Sequence, residues 1–295
     1  MMRTAFLTAS CMFEDRPEAR SDAWEHALEF AAIRPACTEA GIDLVEAIWD
    51  DPLLDPQGFD AFVVGTCWDY MEKPAAFLAA LKALSAQRPL LNPLSVIQWN
   101  SDKRYLADLD AQGVPIVPTV WADRADAASV AHGFAAFPDA DRLVIKPRVG
   151  ASAWRQARVS RGEALPPADE LPPAECLIQP FLKAAETEGE VTLLFFDRVF
   201  SHALVKRPKA GDYRTQSMYG ATERALEPDA DAIATASAAL GAVPGDFLYA
   251  RVDLMRRGDG RYAVMELELV EPYYYPEQGP DLGRLFAAGL KRLAG

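Results

Sequence analysis

The sequence predicts an α/β protein whose N-terminal part is built on a parallel sheet and whose C-terminal part passes to α+β. Two observations predict it. Strand-like and helix-like segments alternate from the N-terminus to Asn92-Pro93, and a βαβ alternation implies parallel strands. Further on, apolar strand pairs are joined by short turns at Asp197-Arg198 and Gly258-Asp259-Gly260, the pattern of antiparallel hairpins.

Thr4 to Thr8 reads as a short buried strand. Ser21 is the expected cap of a helix whose apolar positions Trp24, Ala27, Leu28 and Ala31 follow helical spacing, ending at Gly41. Pro35 should kink or divide it. Strands at Asp43 to Ile48 and Ala61 to Val64, and a helix at Pro74 to Ala86, complete the first unit. Ser101 then caps a helix over Asp102 to Gln112, closed by Gly113, and Val114-Pro115-Ile116-Val117-Pro118 must run extended because proline disfavours helix before it. Strands follow at Arg142 to Lys146 and Cys176 to Gln179, with a proline-rich loop between them. Val191 to Phe196 and Val199 to Val205 form a hairpin, Asp229 to Leu240 an alanine-rich helix, and Leu282 to Leu293 a final helix.

The chain has 295 residues, half of them hydrophobic, enough for two or three domains. Its formal charge of -13 argues against a nucleic-acid binder, so an anionic ligand needs a local cationic pocket or a metal. The four cysteines lie far apart with no CxxC pair, which fits a reducing compartment, and the three histidines are too dispersed for a zinc site. The apolar stretch before Cys11 is shorter than the ~7 to 15 residues of an export signal, and no run approaches the ~20 of a membrane span. The expected place is the cytoplasm, with no membrane partner and a homodimer left open.

Neither GxxxxGK[ST] nor GxGxxG is present. Lys103, Lys146 and the segment Leu177 to Leu182 are the candidates for nucleotide binding. The C-terminal hairpin carries the sharpest signal. Glu266 and Glu268, two apart on a strand, share a face, and pairing about the Gly258-Asp259-Gly260 turn sets Arg251 and Asp253 beside them unless the register slips by one. Acids on a buried apolar face are costly unless neutralised, and hard oxygen ligands suit magnesium held with a polyphosphate.

In order, Asn92-Pro93, Trp99-Asn100-Ser101-Asp102-Lys103, Gly113 to Pro118, Val144-Ile145-Lys146-Pro147, Gln179 to Leu182, Gly189-Glu190, Arg251-Val252-Asp253 and Glu266-Leu267-Glu268 resemble the ATP-grasp superfamily, specifically its glutathione-synthetase-like and RimK-like ligases. With Thr66 to Tyr70, the Trp99-Asn100 pair also resembles the subgroup that includes the cycloserine-forming ligase. The resemblance implies an ATP-grasp fold behind a parallel-sheet domain, divided as residues 1–98 for substrate, 99–182 as a lid and 183–295 as the metal-binding part. It implies that Lys103 and Lys146 contact ATP phosphates, that Gln179, Pro180, Phe181 and Leu182 form the adenine hinge, and that Gly150 to Ala153 cover the phosphates. Glu186 or Glu190 would hold the ribose. Asp253, Glu266 and Glu268 would bind Mg2+, while Arg214 and Arg251 would stabilise an acyl phosphate. Arg207 is as consistent with a surface ion pair as with a role. The implied reaction joins a small amino-acid-like carboxylate to an amine, releasing ADP and phosphate. A phosphotransferase and a non-catalytic nucleotide-binding regulator are the alternatives. Thr66-Cys67-Trp68-Asp69-Tyr70 and Tyr273-Tyr274-Tyr275 are expected at the acceptor end of the cleft.

Overall fold

The computed structural model describes residues 1–150, 153–209, 211, 214 and 220–295. The first part comprises β1 (Met2–Thr8), α1 (Ala23–Glu39), β2 (Ile42–Ile48), β3 (Ala61–Val64), α2 (Pro74–Ser85), β4 (Leu90–Leu91) and α3 (Leu94–Asn100). Its sheet has the order β2-β1-β3-β4 with parallel pairing throughout, as the βαβ alternation predicts. Phe6, Leu7, Phe62, Val63 and Val64 are fully buried in it, because a parallel sheet covered on both faces needs continuous apolar strands.

Helix α1 departs from the sequence reading twice. It runs unbroken past Pro35, which lies with Ala31 on the solvent side, where water can take the carbonyl that proline leaves unpaired. Its buried face is also the opposite of the one expected: Trp24 and Leu28 are exposed, and Ala23, Glu25, His26, Glu29, Phe30, Ile33 and Cys37 face inward. The flanking residue at its start is Asp22, not Ser21.

The second part comprises α4 (Tyr105–Ala111), β5 (Val120–Ala122), α5 (Ala127–Ala136), β6 (Arg142–Pro147), β7 (Ala157–Ser160) and β8 (Cys176–Pro180). Its antiparallel sheet has the order β5-β8-β6-β7. Helix α4 begins later than the expected 102. The Ser101 hydroxyl donates to the Gln98 carbonyl at the end of α3, and the Asp102 carboxylate is taken by Arg148 and the Arg104 N–H. Helix α5 was not foreseen, although Asp126 and Ser129 form a reciprocal capping box that its sequence encodes.

The third part comprises α6 (Ala184–Thr187), β9 (Glu190–Phe196), β10 (Val199–Arg207), β11 (Thr222–Ala225), α7 (Ala230–Gly241), β12 (Tyr249–Arg256), β13 (Tyr262–Glu268) and α8 (Leu282–Ala294). Its sheet has the order β11-β10-β9-β12-β13 and is antiparallel. In the terminal hairpin Arg251 stands opposite Glu268 and Asp253 opposite Glu266, the register expected, with a bulge after Asp253 that leaves Met265 unpaired.

Side chains from the first part strap the hairpin in place. Asn92 donates to the carbonyls of Tyr249 and Leu269 at 2.9 and 2.8 Å and accepts the Leu248 N–H at 2.6 Å. Asn100 donates to the Leu267 carbonyl and accepts the Leu269 N–H. The extended segment after α4 exchanges backbone bonds with Val264. Helix α8 closes on α1 across Gly283, where any added Cβ would stand 2.4 Å from the Ala32 carbonyl oxygen. One apolar core therefore joins Phe6, Phe30 and Ile33 to Phe196, Tyr274 and Phe286. Among the described residues no helix is long and apolar enough to cross a membrane.

Candidate active site

The three sheets meet around an open cleft of about 500 Å³. Every expected site residue except Glu186 lines it: Lys103, Lys146, the Gln179 to Leu182 segment, Glu190, Arg214, Arg251, Asp253, Glu266 and Glu268. Ala151 and Ser152 of the expected phosphate cover lie outside the described residues, as do Ala210, Asp212 and Tyr213 of the stretch between Arg207 and Arg214, whose resemblance to the substrate loop of ATP-grasp ligases makes it an expected part of the site.

At one end the cleft is apolar, with Val117, Val144, Met255 and Met265 facing the segment that follows β8. Phe181 is stacked by Arg142, whose guanidinium lies 4.1 Å from the ring centroid, and its N–H is bonded to the Arg142 carbonyl. Gln179 donates to the Thr119 hydroxyl at 3.0 Å. Glu186 is turned to the surface, paired with Arg142 at 2.7 and 2.8 Å and with Arg158 at 3.4 Å. Glu190, at the start of β9, points into the cleft and pairs with Lys206.

The other wall is a charged lattice on β9, β10, β12 and β13. Lys103 donates to the Gly150 carbonyl at 2.5 Å and pairs with Glu266 at 2.9 Å. Burial works against the Lys103 charge, but Glu266 overcomes it and raises its pKa. Lys146 is buried without a comparable partner, so burial and the neighbouring Lys103 lower its pKa. Asp253 accepts from Thr192 at 2.5 Å, from Lys206 at 3.2 Å and from Arg251 at 3.1 Å. Burial opposes its charge, yet Arg251, Lys206 and the Thr192 hydroxyl hold its carboxyl down at about 2. Burial pushes Glu268 up to about 7 against its Arg251 partner, and burial with Glu268 nearby pushes Glu271 to about 8.

Lys206 is a buried charge of the cleft that the sequence reading missed. It sits opposite Glu190 in the β9–β10 register, buried, between two carboxylates, while its neighbour Arg207 points outward to the Glu188 carbonyl. Strand alternation carried the signal: in Ala203-Leu204-Val205-Lys206 a lysine continues the face of a buried leucine.

At the acceptor end, Trp68, Tyr273 and Tyr275 line the cleft, and the Trp68 indole donates to the Glu271 carbonyl at 2.9 Å. Cys67 and Tyr70 are buried in the first sheet's core, and Trp99 packs on Tyr105 away from the cleft. Behind Tyr275, the buried His202 ring contacts the Tyr274 carbonyl, and burial pushes its pKa down to about 4. An unfolded histidine binds its proton near 6.5, so the unfolded chain takes up a proton that the fold refuses, and stability should fall as pH drops from about 6.5 to 4, by on the order of 3 kcal/mol. Urea denaturation at pH 7 and pH 5 should show the drop, and His202→Phe should flatten it. An equal drop in that variant would assign the slope elsewhere.

The acids fit a divalent cation by chemistry: they are hard, co-facial oxygens, Asp253 buried and Glu266 and Glu268 half-buried, and burial, with Glu266 and Asp253 nearby, holds Glu268 above the usual carboxylate range despite its Arg251 partner. As arranged, each is engaged by a lysine or arginine, and among the described residues no three acidic, histidine or cysteine side chains are grouped so as to hold an ion.

Residues 5–92 match the family model described as the N-terminal domain of D-cycloserine synthetase DcsG. The cycloserine biosynthesis protein DcsG of Streptomyces lavendulae is 35% identical over 251 residues, 80% of this chain and 84% of that protein. A crystal structure of D-cycloserine synthetase DcsG superposes with a TM-score of 0.87 at 30% identity, covering 99% of this chain and 100% of that one. The ATP-grasp ligase PsnB, solved with a minimal precursor, Mg and ADP, superposes with a TM-score of 0.66 at 15% identity over 99% of this chain and 97% of its own, a likeness of fold.

Proposed function

The chain belongs to the DcsG family of ATP-grasp ligases and couples ATP to the joining of a carboxylate and an amine, and from that premise we propose that it closes a ring within one amino-acid-like molecule. The observation that carries this reading is the cleft, with an apolar slot and paired lysines at one end and aromatic walls with arginines at the other.

A carboxylate resists amines because its charge is delocalised. Its oxygen attacks the γ-phosphorus of ATP, ADP departs, and the acyl phosphate that results is open to attack at carbon. The amine nitrogen attacks there, phosphate leaves, and one proton is released. Lys103 and Lys146 neutralise phosphate oxygens as compact point charges, and burial disfavours the Lys146 charge, a cost that is relieved when a phosphate pairs with it. In the hinge, the Pro180 carbonyl and the Leu182 N–H read the adenine edge. Glu190, rather than the surface-paired Glu186, accepts from the ribose. Asp253, Glu266 and Glu268 would hold Mg2+, which supplies charge neutralisation on the polyphosphate. Arg251 and Arg214 orient the transferring group and the acyl phosphate, with forks suited to carboxylate and phosphate oxygens. The four cysteines are unpaired, in keeping with a cytoplasmic setting. Residues 1–98, 99–182 and 183–295 then act as substrate, lid and metal-binding parts.

Opening the amide of D-cycloserine by hydrolysis gives β-aminooxy-D-alanine, which makes that compound the first to test. ADP release with it, against a panel of standard amino acids and dipeptides, should exceed the ATP-only background. Hydroxylamine should trap the acyl phosphate. No ADP release across the whole panel, or a stable phosphorylated product, would reject ring-closing ligation.

A further inference from the structure

The inward face of α1 carries polar residues among its apolar ones: Glu25 lines the cleft, and His26 and Glu29 are buried behind it. Glu29 is fully buried there, and its Oε2 accepts the Tyr274 N–H at 2.7 Å. On the other side of the same residue, the Tyr274 carbonyl meets His202 Nε2 at 2.9 Å. A carbonyl only accepts, so the His202 ring carries its proton on Nε2, and the ring lies flat against Gly279, where a Cβ would stand 2.3 Å from its Cε1. Tyr274 is thus gripped at both its N–H and its C=O by side chains from two different parts of the chain.

Its neighbours need that grip. Tyr275 has φ of 50°, a left-handed backbone that a bulky side chain adopts only where its surroundings impose it. The ring of Tyr275 stands 5.8 Å from the Arg251 guanidinium and 5.8 Å from the Lys206 ammonium, and 4.8 Å from the ring of Tyr273, which in turn packs edge-on against Trp68. A shift at Tyr274 therefore moves both aromatic walls and the ring that stands over Arg251. The second Glu29 oxygen, Oε1, is buried without a hydrogen-bond partner. Burial, with Glu25 nearby, holds the Glu29 carboxyl well above the usual range, and a glutamine of the same length keeps an acceptor oxygen where Oε2 meets the Tyr274 N–H.

We propose that Glu29 and His202 are positioning residues of the ligase, clamping Tyr274 so that Tyr273 and Tyr275 stand as the walls of the acceptor end and keep Arg251 aimed at the acyl group. The proposal rests on the reading that this end holds the carboxylate substrate.

Three variants test it, each with two readouts. Glu29→Gln keeps the acceptor oxygen in place, Glu29→Asp withdraws it by one methylene, and His202→Phe removes the donor on the opposite side. Glu29→Asp and His202→Phe should each raise KM for β-aminooxy-D-alanine about ten-fold or more while KM for ATP stays within about two-fold, and Glu29→Gln should match the wild type. By mass-spectrometric hydrogen exchange, the peptide spanning 272–276 should exchange faster in the two disruptive variants, with 191–196 unchanged. If Glu29→Asp does not fold, His202→Phe decides by the same measures. Wild-type values in the disruptive variants, a parallel rise in KM for ATP, or a Glu29→Gln protein that behaves as Glu29→Asp would overturn the proposal. The exchange measurement needs no substrate, so a wild-type enzyme that releases no ADP with β-aminooxy-D-alanine or any other compound of the panel would reject the ring-closing reading and leave the clamp to be judged on exchange alone.

Discussion

Glu266→Gln is expected to abolish turnover, lowering kcat by about 10² to 10³ or more, while the protein remains folded. The side chain keeps its shape and loses its charge. In the structure Glu266 is the partner of Lys103 at 2.9 Å, and it is held ionised against burial by Lys103 and Lys146 together. Glutamine cannot balance those two ammonium groups, and it is a far weaker ligand for a hard cation. ADP release at saturating ATP and substrate reads the loss, and thermal melting checks the fold. Near-normal turnover in a folded variant would remove Glu266 from the site.

Lys206→Met should have the largest effect on stability. Its ammonium is buried between Glu190 and Asp253, 3.2 Å from the latter, and both carboxylates are themselves buried. Removing one member of a buried ion network leaves uncompensated charge, which costs about 3 to 5 kcal/mol. Asp253 is the more exposed to the loss in energetic terms, because the depression of its pKa to about 2 depends on Lys206 as well as Arg251. Urea denaturation at pH 7 measures the change. Adding Glu190→Gln to Lys206→Met should recover part of it, since one stranded charge disappears. A change below about 1 kcal/mol would mean that the pair is screened by water that enters the cleft.

The C-terminal hairpin was legible from a Gly-Asp-Gly turn and from two glutamates at a spacing that only a strand makes co-facial, but its register was not: pairing outward from the turn through Arg256–Tyr262 and Leu254–Val264 would set Asp253 opposite Met265, and only the bulge at Met265 brings it opposite Glu266. The extended stretch after α4 was legible from its two prolines. Helix α1 was not legible in its orientation. Trp24, Ala27, Leu28 and Ala31 satisfy helical spacing as well as Phe30, Ile33 and Cys37 do, and a helix with apolar residues on two faces offers no local reason to prefer one.

What the sequence determined by itself is the order of motifs along the chain, the parallel and antiparallel pairing of strands, and the co-facial placing of Glu266 and Glu268, because spacing and turn chemistry act within a few residues. Only the tertiary structure decided which partner each charge has. Lys206 meets Asp253, Glu186 leaves the cleft for Arg142, and the polar face of α1 turns inward toward Tyr274. Those choices depend on strands and helices that are remote in sequence and adjacent in space, and on a low-dielectric interior in which a buried charge or carboxyl must find its partner wherever the fold brings one.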